Sequence, residues 1–366
     1  MRAPIVFGCL AIAAAACGRG PSLDGLAADY VRLARMDGMH DARYIEALER
    51  TRAQLASSDE RDGRRAFLLA QVSALARRAR YLAGERASIE DEAAALGMRL
   101  PSYDEGRAAA LRGELDAALP GRGGLNDRLS AHRRANAVPR SGLDQAARVA
   151  VEQCRSRTPL PAGIHDEGLE LRYVIDRPWP AFTTRKTNAA SVVEVRRDVA
   201  WLADDLLMVV CHETYPGHHL QNLVWEERRV KQGWVEFSVT PMFTPLAVMA
   251  ERAANAATAL VVPREQRSAV SRALEDLAPL ALATAVEIAD GRLDRAAGLR
   301  RLRDDLVMPD PESFLRFVEE YRAMAVAYVA PLSEVGEWRD YFELLRSPER
   351  LAGSSGDAVG SPSRVR

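Results

Sequence analysis

Residues 212–219 read His-Glu-Thr-Tyr-Pro-Gly-His-His and hold three of the six histidines in the chain. A His-Glu pair followed one to two helical turns later by another His is how zinc hydrolases bring two imidazoles and a carboxylate to one ion. The same window restricts the backbone that can carry it. The fourth residue after His212 is Pro216, which cannot bind metal and which, inside a helix, removes the bond to the carbonyl of His212. Gly217 follows and accepts backbone angles that other residues resist. The run therefore predicts a bulged or kinked helix that returns a histidine to the metal two residues late.

Upstream, Val199, Leu202, Leu206, Val209 and Val210 recur at helical spacing, with Asp198 as the expected N-cap. His212 and Glu213 are thus expected late on a buried amphipathic helix. His218 is the expected second ligand. His219, seven residues from His212, would share its face on a straight helix. Two turns rise about 10.5 Å, however, long for two imidazoles each about 2.1 Å from one ion. His219 stays as the alternative ligand, or as a catalytic donor to a developing oxyanion.

A catalytic zinc needs a third protein ligand and an open position. Glu251 is the candidate, in a helix expected to start at Thr244-Pro245 and to run to Val261 through mostly alanine and apolar residues. A carboxylate in such a helix costs several kcal/mol unless it is paired or bound to metal. A pair with Arg252 or Arg228 is the alternative. Asn255, one turn on, is expected to steady Glu251 from behind.

These residues imply one zinc ion per chain and a hydrolytic mechanism. Zinc would lower the pKa of water toward about 7 and polarise the scissile carbonyl. Glu213 would take the water's proton and pass it to the leaving amine. An oxyanion donor is expected on the late helix Phe314–Tyr328, which offers Tyr321, Arg322 and Tyr328; Tyr321 and Tyr328 lie seven apart and share a face. The same stripe would serve as core packing. His40, His132 and His165 stand alone and are expected to be structural or exposed.

The run His-Glu-Thr-Tyr-Pro-Gly-His-His-Leu-Gln resembles the signature of a bacterial family called domain of unknown function 885, a zincin-like group with many exported lipoproteins. Ala27–Met36, His40–Tyr44, Arg64–Arg78 and Pro178–Ala181 look like further blocks of that family. Phe243-Thr-Pro with Ala250-Glu251 resembles the segment where its members carry Thr-Pro and then a Glu-Gly pair, which adds to the case for Glu251. The resemblance implies a glutamate-zincin fold and metallopeptidase activity. Arg252 departs from it, standing where glycine is usual, and would narrow the cleft or bring a positive charge to it.

Met1-Arg2, an apolar run from Ala3 to Ala16 and then Cys17 make an export signal too short to span a membrane. The small residues before Cys17 resemble a bacterial lipoprotein signal, which implies a lipid anchor at Cys17 and a place in the cell envelope. Ala14 stands where leucine is usual, so cleavage without lipidation is the alternative. Cys154 and Cys211 remain in the body; in an oxidising compartment they could pair, but two buried free thiols are the favoured reading. A net charge of −1 gives no electrostatic case for nucleic acid as a partner.

The expected fold is mainly α (α+β). Residues 18–157 read as a helical region, broken near Gly97–Pro101, Pro120–Asn126 and Ala137–Gly142, and residues 158–352 as a zincin-like domain. In the latter, Leu169–Asp176 and Ala190–Arg197 alternate like strands and would form a small sheet before the metal helix, either with an edge open to an extended substrate or serving only to pack that helix. Residues 353–366 are Gly/Ser-rich and expected to be disordered. The function these readings favour is an exported zinc metallopeptidase acting on a peptide or other small amide. The alternatives are a zinc hydrolase of another amide or ester, and a non-catalytic binding lipoprotein on a zincin fold.

Overall fold

The computed structural model describes residues 21–349, apart from 37, 61, 165, 167, 187–189, 330 and 331. Cys17, the export signal, the tail 353–366 and His165 lie outside the described residues. The fold is mainly α with a minor β component. Seven helices come first: α1 (Leu23–Ala34), α2 (Ala42–Ser57), α3 (Gly63–Leu82), α4 (Ile89–Ala95), α5 (Glu105–Ala118), α6 (Leu125–Asn136) and α7 (Leu143–Arg157). Side chains of Ser22, Asp41, Asp62, Ser88 and Asp104 each accept a backbone N–H and cap the first five. The breaks after α4, α5 and α6 fall at the three stretches named from the sequence; those after α1, α2 and α3 are additions.

A small sheet follows: β1 (Leu169–Val174), β2 (Ala181–Arg185) and β3 (Ser191–Arg196), in the order β1-β3-β2. β3 runs parallel to β1 and antiparallel to β2. Being central, β3 is apolar on both faces, with Val192, Val193 and Val195 buried. The sequence predicts β1 and β3; β2 is an addition. Its Phe-Thr-Thr core suits a strand, but five residues behind Trp-Pro leave too short a run to recognise.

The remaining helices are α8 (Ala203–Glu213), α9 (His218–Gln232), α10 (Pro245–Val261), α11 (Ala269–Ala289), α12 (Arg295–Asp304), α13 (Pro311–Tyr321), α14 (Met324–Val329) and α15 (Trp338–Arg346). Thr244 caps α10 with Pro245 in its first turn, as expected. Asp198 does not cap α8. That helix begins four residues later than expected, after Leu202, and Asp198 instead forms a two-point ion pair with Arg196 at 2.9 and 2.7 Å.

Two apolar clusters hold the molecule together, and they do not divide at residue 157. One joins α1–α3 and α7 to the sheet, α8–α10 and α15. The other joins α4–α6 to α11–α14. The expected boundary between residues 157 and 158 therefore runs through a shared core, because α7 packs on α8 and α5 on α11. Only α10 belongs to both clusters, giving Met249, Ala250 and Ala253 to the first and Ala247 and Val248 to the second. Its alanines allow neighbours to approach closely. Among the described residues no helix is long and apolar enough to cross a membrane.

Cys154 and Cys211 are disulfide-bonded, with Cα atoms 5.3 Å apart, which corrects the reading of two free thiols. Packing α7 on α8 brings together two buried sulfurs that are 57 residues apart in sequence.

Between α8 and α9 the helix is interrupted rather than bulged. Thr214 leaves helical geometry, Tyr215-Pro216 is cis, and the chain restarts at His218. Gly217 lies against α8 so closely that a Cβ there would stand 1.6 Å from the carbonyl oxygen of His212.

Two outcomes follow from this junction. Gly217→Ala should lower stability by more than about 3 kcal/mol in denaturant titration, because backbone must move to admit a methyl group. A midpoint within error of the parent would show that the two helices are not held in this contact. Replacing Cys154 and Cys211 together by alanine should cost about 2–4 kcal/mol. An unchanged unfolding midpoint would mean that packing alone holds α7 to α8.

Candidate metal centre

His212 is the penultimate residue of α8, His218 opens α9, and Glu251 sits in the second turn of α10. Three elements that approach from different directions thus present their donors to one point. His212 Nε2 lies 3.1 Å from Glu251 Oε2 and His218 Nε2 lies 3.3 Å from the same oxygen. The three donor atoms fall within 4.8 Å of one another, and among the described residues no other such group occurs. Ligands about 2.0–2.2 Å from a tetrahedral ion stand roughly 3.4 Å apart, so the observed spacings fit one small cation bound by two imidazoles and a carboxylate. Arg252 and Arg228 do not pair with Glu251. Arg252 lines a separate cavity of about 350 Å³ outside the metal pocket, and Arg228 reaches Glu349.

The charge balance favours a cation as well. Burial by itself would raise the Glu251 carboxyl, yet His218 and His212 hold it well below the ordinary carboxylate range. Burial lowers His218, but Glu251, with Glu213 and Gln221 behind it, raises the imidazole to about 9. A carboxylate buried against two imidazoles is a setting that a positive charge stabilises. Gln221 orients the ring: His218 Nδ1 lies 3.0 Å from Gln221 Oε1, while Gln221 Nε2 donates to the carbonyl of Ala250 at 2.9 Å. With Nδ1–H given to Gln221, Nε2 faces Glu251. Gln221 is fully buried and was not singled out from the sequence, where only its place three residues after His218 hints at it.

Glu213 adjoins the trio without joining it. The hydroxyl of Thr183 on β2 lies 2.6 Å from Glu213 Oε2 and 2.8 Å from its backbone carbonyl, which fixes the carboxylate against the sheet edge. Thr183 escaped the sequence reading because β2 did. His212, Glu213, His218 and Glu251 all line one cavity of about 580 Å³, walled by β2, α8–α10, α13 and α14.

Tyr321 and Tyr328 also line this cavity, their rings 6.1 Å apart and edge to face. They do not lie on one continuous helix. Arg322 takes a positive φ of 48°, ends α13, and sends its guanidinium to Glu92 and the carbonyl of Ala87, away from the site. Burial, and then the charge of Glu251, push the Tyr328 hydroxyl far above its ordinary pKa, so it stays protonated. Asn255 also faces the cavity, but its Nδ2 donates to the carbonyls of Ala327 and Tyr328, at 3.1 and 3.2 Å. It anchors the backbone of Tyr328 rather than steadying Glu251.

His219 stands outside the ligand set. Neighbouring helix positions diverge by about 100°, and its ring points to the far side of α9, fully buried. There Nδ1 meets Ser191 Oγ at 2.8 Å and Nε2 meets the Tyr215 hydroxyl at 3.0 Å and Asp166 at 3.3 Å. Tyr215 itself donates to Asp166. This cluster clamps the turn that carries Pro216, which removes His219 both as alternative ligand and as oxyanion donor. His40 is exposed just before α2 and His132 is half-buried within α6, both far from this chemistry in the chain.

No protein-family model and no curated protein matches the chain, so the family resemblance is carried by the quoted motifs alone. Two solved structures are similar to it. One, designated a lipoprotein, is from Colwellia psychrerythraea: 11% identity over 84% of this chain and 62% of that one, with a TM-score of 0.45. The other, a lipoprotein by designation and of unknown function, is from Shewanella oneidensis: 12% identity over 93% of this chain and 69% of that one, with a TM-score of 0.42. The chain spans less than two thirds of the length of the Colwellia protein.

Proposed function

We propose that this chain is an exported, lipid-anchored zinc hydrolase that cleaves peptide or closely related amide bonds. The observation that carries the reading is the convergence of His212, His218 and Glu251, with donor atoms within 4.8 Å of one another, on the wall of a cavity that also holds Glu213. Export and the anchor at Cys17 rest on the first seventeen residues of the sequence.

His212 and His218, through Nε2, and Glu251, through Oε2, would hold the ion. Bound there, zinc supplies a Lewis acid that acidifies water and polarises a carbonyl. Glu213 accepts a proton from the attacking water and returns it to the leaving nitrogen. Thr183 holds the Glu213 carboxylate in place for both transfers. Tyr328, kept protonated by its surroundings, offers a hydrogen bond to the oxyanion as charge develops on it. Gln221 keeps the His218 ring from turning as the other groups move.

Metal content and peptide cleavage, measured on the purified protein, test the reading. One zinc per chain is expected, with cleavage of a mixed peptide library that a chelator abolishes. Glu251→Ala should lose the metal and the activity together. Glu213→Gln should retain the metal and lose activity by at least about 100-fold, the scale of a general base. A metal-free parent protein, or one whose cleavage survives Glu213→Gln, would sink the assignment. Zinc bound without any cleavage would move the reading to an ester or another amide.

A further inference from the structure

We infer that the cavity selects an internal, uncharged stretch of peptide with a bulky apolar side chain beside the scissile bond, and excludes charged side chains and free termini from that place. The inference deepens the hydrolase reading and rests on it. A volume of about 580 Å³ lies within the range of roughly 300–1,000 Å³ that encloses a ligand of a few residues. Two aromatic walls face into it. On the β2 side Trp179 and Phe182 stack with centroids 5.5 Å apart. On the other side Phe317 stacks on Tyr321 at 4.8 Å, with Tyr328 at 5.8 Å from Phe317. Met324, buried beneath them, is the kind of adaptable side chain that accommodates varied apolar shapes.

Charge decides the rest. Among the described residues that line the cavity there is no arginine or lysine to receive a terminal carboxylate. Of its two carboxylates, Glu251 faces the histidines and Glu213 accepts the Thr183 hydroxyl, so an ammonium would have to compete for Glu213. A carboxylate brought here would shed water and find no cationic side chain, and an ammonium would have to draw Glu213 from Thr183, a penalty that favours capped or internal segments over free ends. Rings that bury apolar area reward Phe, Leu or Met instead.

Trp179 and Trp225 both line the cavity and report its occupancy by fluorescence, without metal and without turnover. Metal-free protein would be titrated with N-acetyl-Phe-Leu-amide, the free dipeptide Phe-Leu, and N-acetyl-Asp-Lys-amide. The expected result is a saturable shift with the first probe and at least tenfold weaker binding of the other two. Equal binding of all three, or a shift with none, would overturn the inference. Phe182 is half-exposed at the mouth, so Phe182→Arg should fold; it is expected to weaken the capped apolar probe at least tenfold, and unchanged affinity would also overturn the inference. The zinc-loaded protein would then digest a library of capped peptides. Cleavage concentrated beside Phe, Leu and Met supports the inference, and cleavage that requires a free terminus or a charged neighbour overturns it. Selective binding with no cleavage anywhere would leave the cavity's preference standing and defeat the peptide-cleavage reading alone.

Discussion

Gly217 stands with its backbone against the carbonyl of His212, where no side chain fits, and the site depends on that contact. It lets α9 start close to where α8 ends, so that the first residue of one helix returns beside the penultimate residue of the other. The two imidazoles then meet edge to face, 4.7 Å between ring centres. A wider turn would part them. The turn is also held from behind: Tyr215, His219, Asp166 and Ser191 form one hydrogen-bonded cluster, and Tyr341 donates to the carbonyl of Pro216.

Glu251 arrives from a helix that is itself fixed on two sides. α10 contributes to both apolar clusters, and its alanine surface lets α8 and α14 lie close to it. A buried carboxylate on such a helix is costly by itself and is stabilised only by the imidazoles it faces. Gln221 links the two halves of the site, holding His218 with its carbonyl oxygen and α10 with its amide nitrogen. The disulfide adds a covalent tie from α7 to the residue just before His212. Restraints of this kind are what preorganise a site.

Much of this was legible in the sequence. The His-Glu pair, the displaced histidine and the glutamate in an alanine-rich helix are local chemistry, and helix spacing, a Thr-Pro start and glycine-proline breaks are local signals. Other parts were not, for identifiable reasons. β2 is short, so Thr183 went unseen, although it touches Glu213. The Phe314–Tyr328 pattern reads as one helix, because nothing in it announces that Arg322 will take a positive φ. The cysteine pair looked like two thiols because the distance between them belongs to the packing of α7 on α8.

The sequence by itself determined which donors exist: proline at the usual second-ligand spacing removes that position and leaves His218 and His219 as the candidates, whatever the fold. It also determined the mainly helical architecture, through periodicity and caps. Tertiary structure decided which groups meet. His218 rather than His219 faces Glu251, Asn255 holds Tyr328 rather than Glu251, and the boundary near residue 158 disappears into a shared core. Side-chain identity and helical spacing are carried along the chain, whereas the meeting of α8, α9, α10 and β2 depends on long-range packing that no local run of residues encodes.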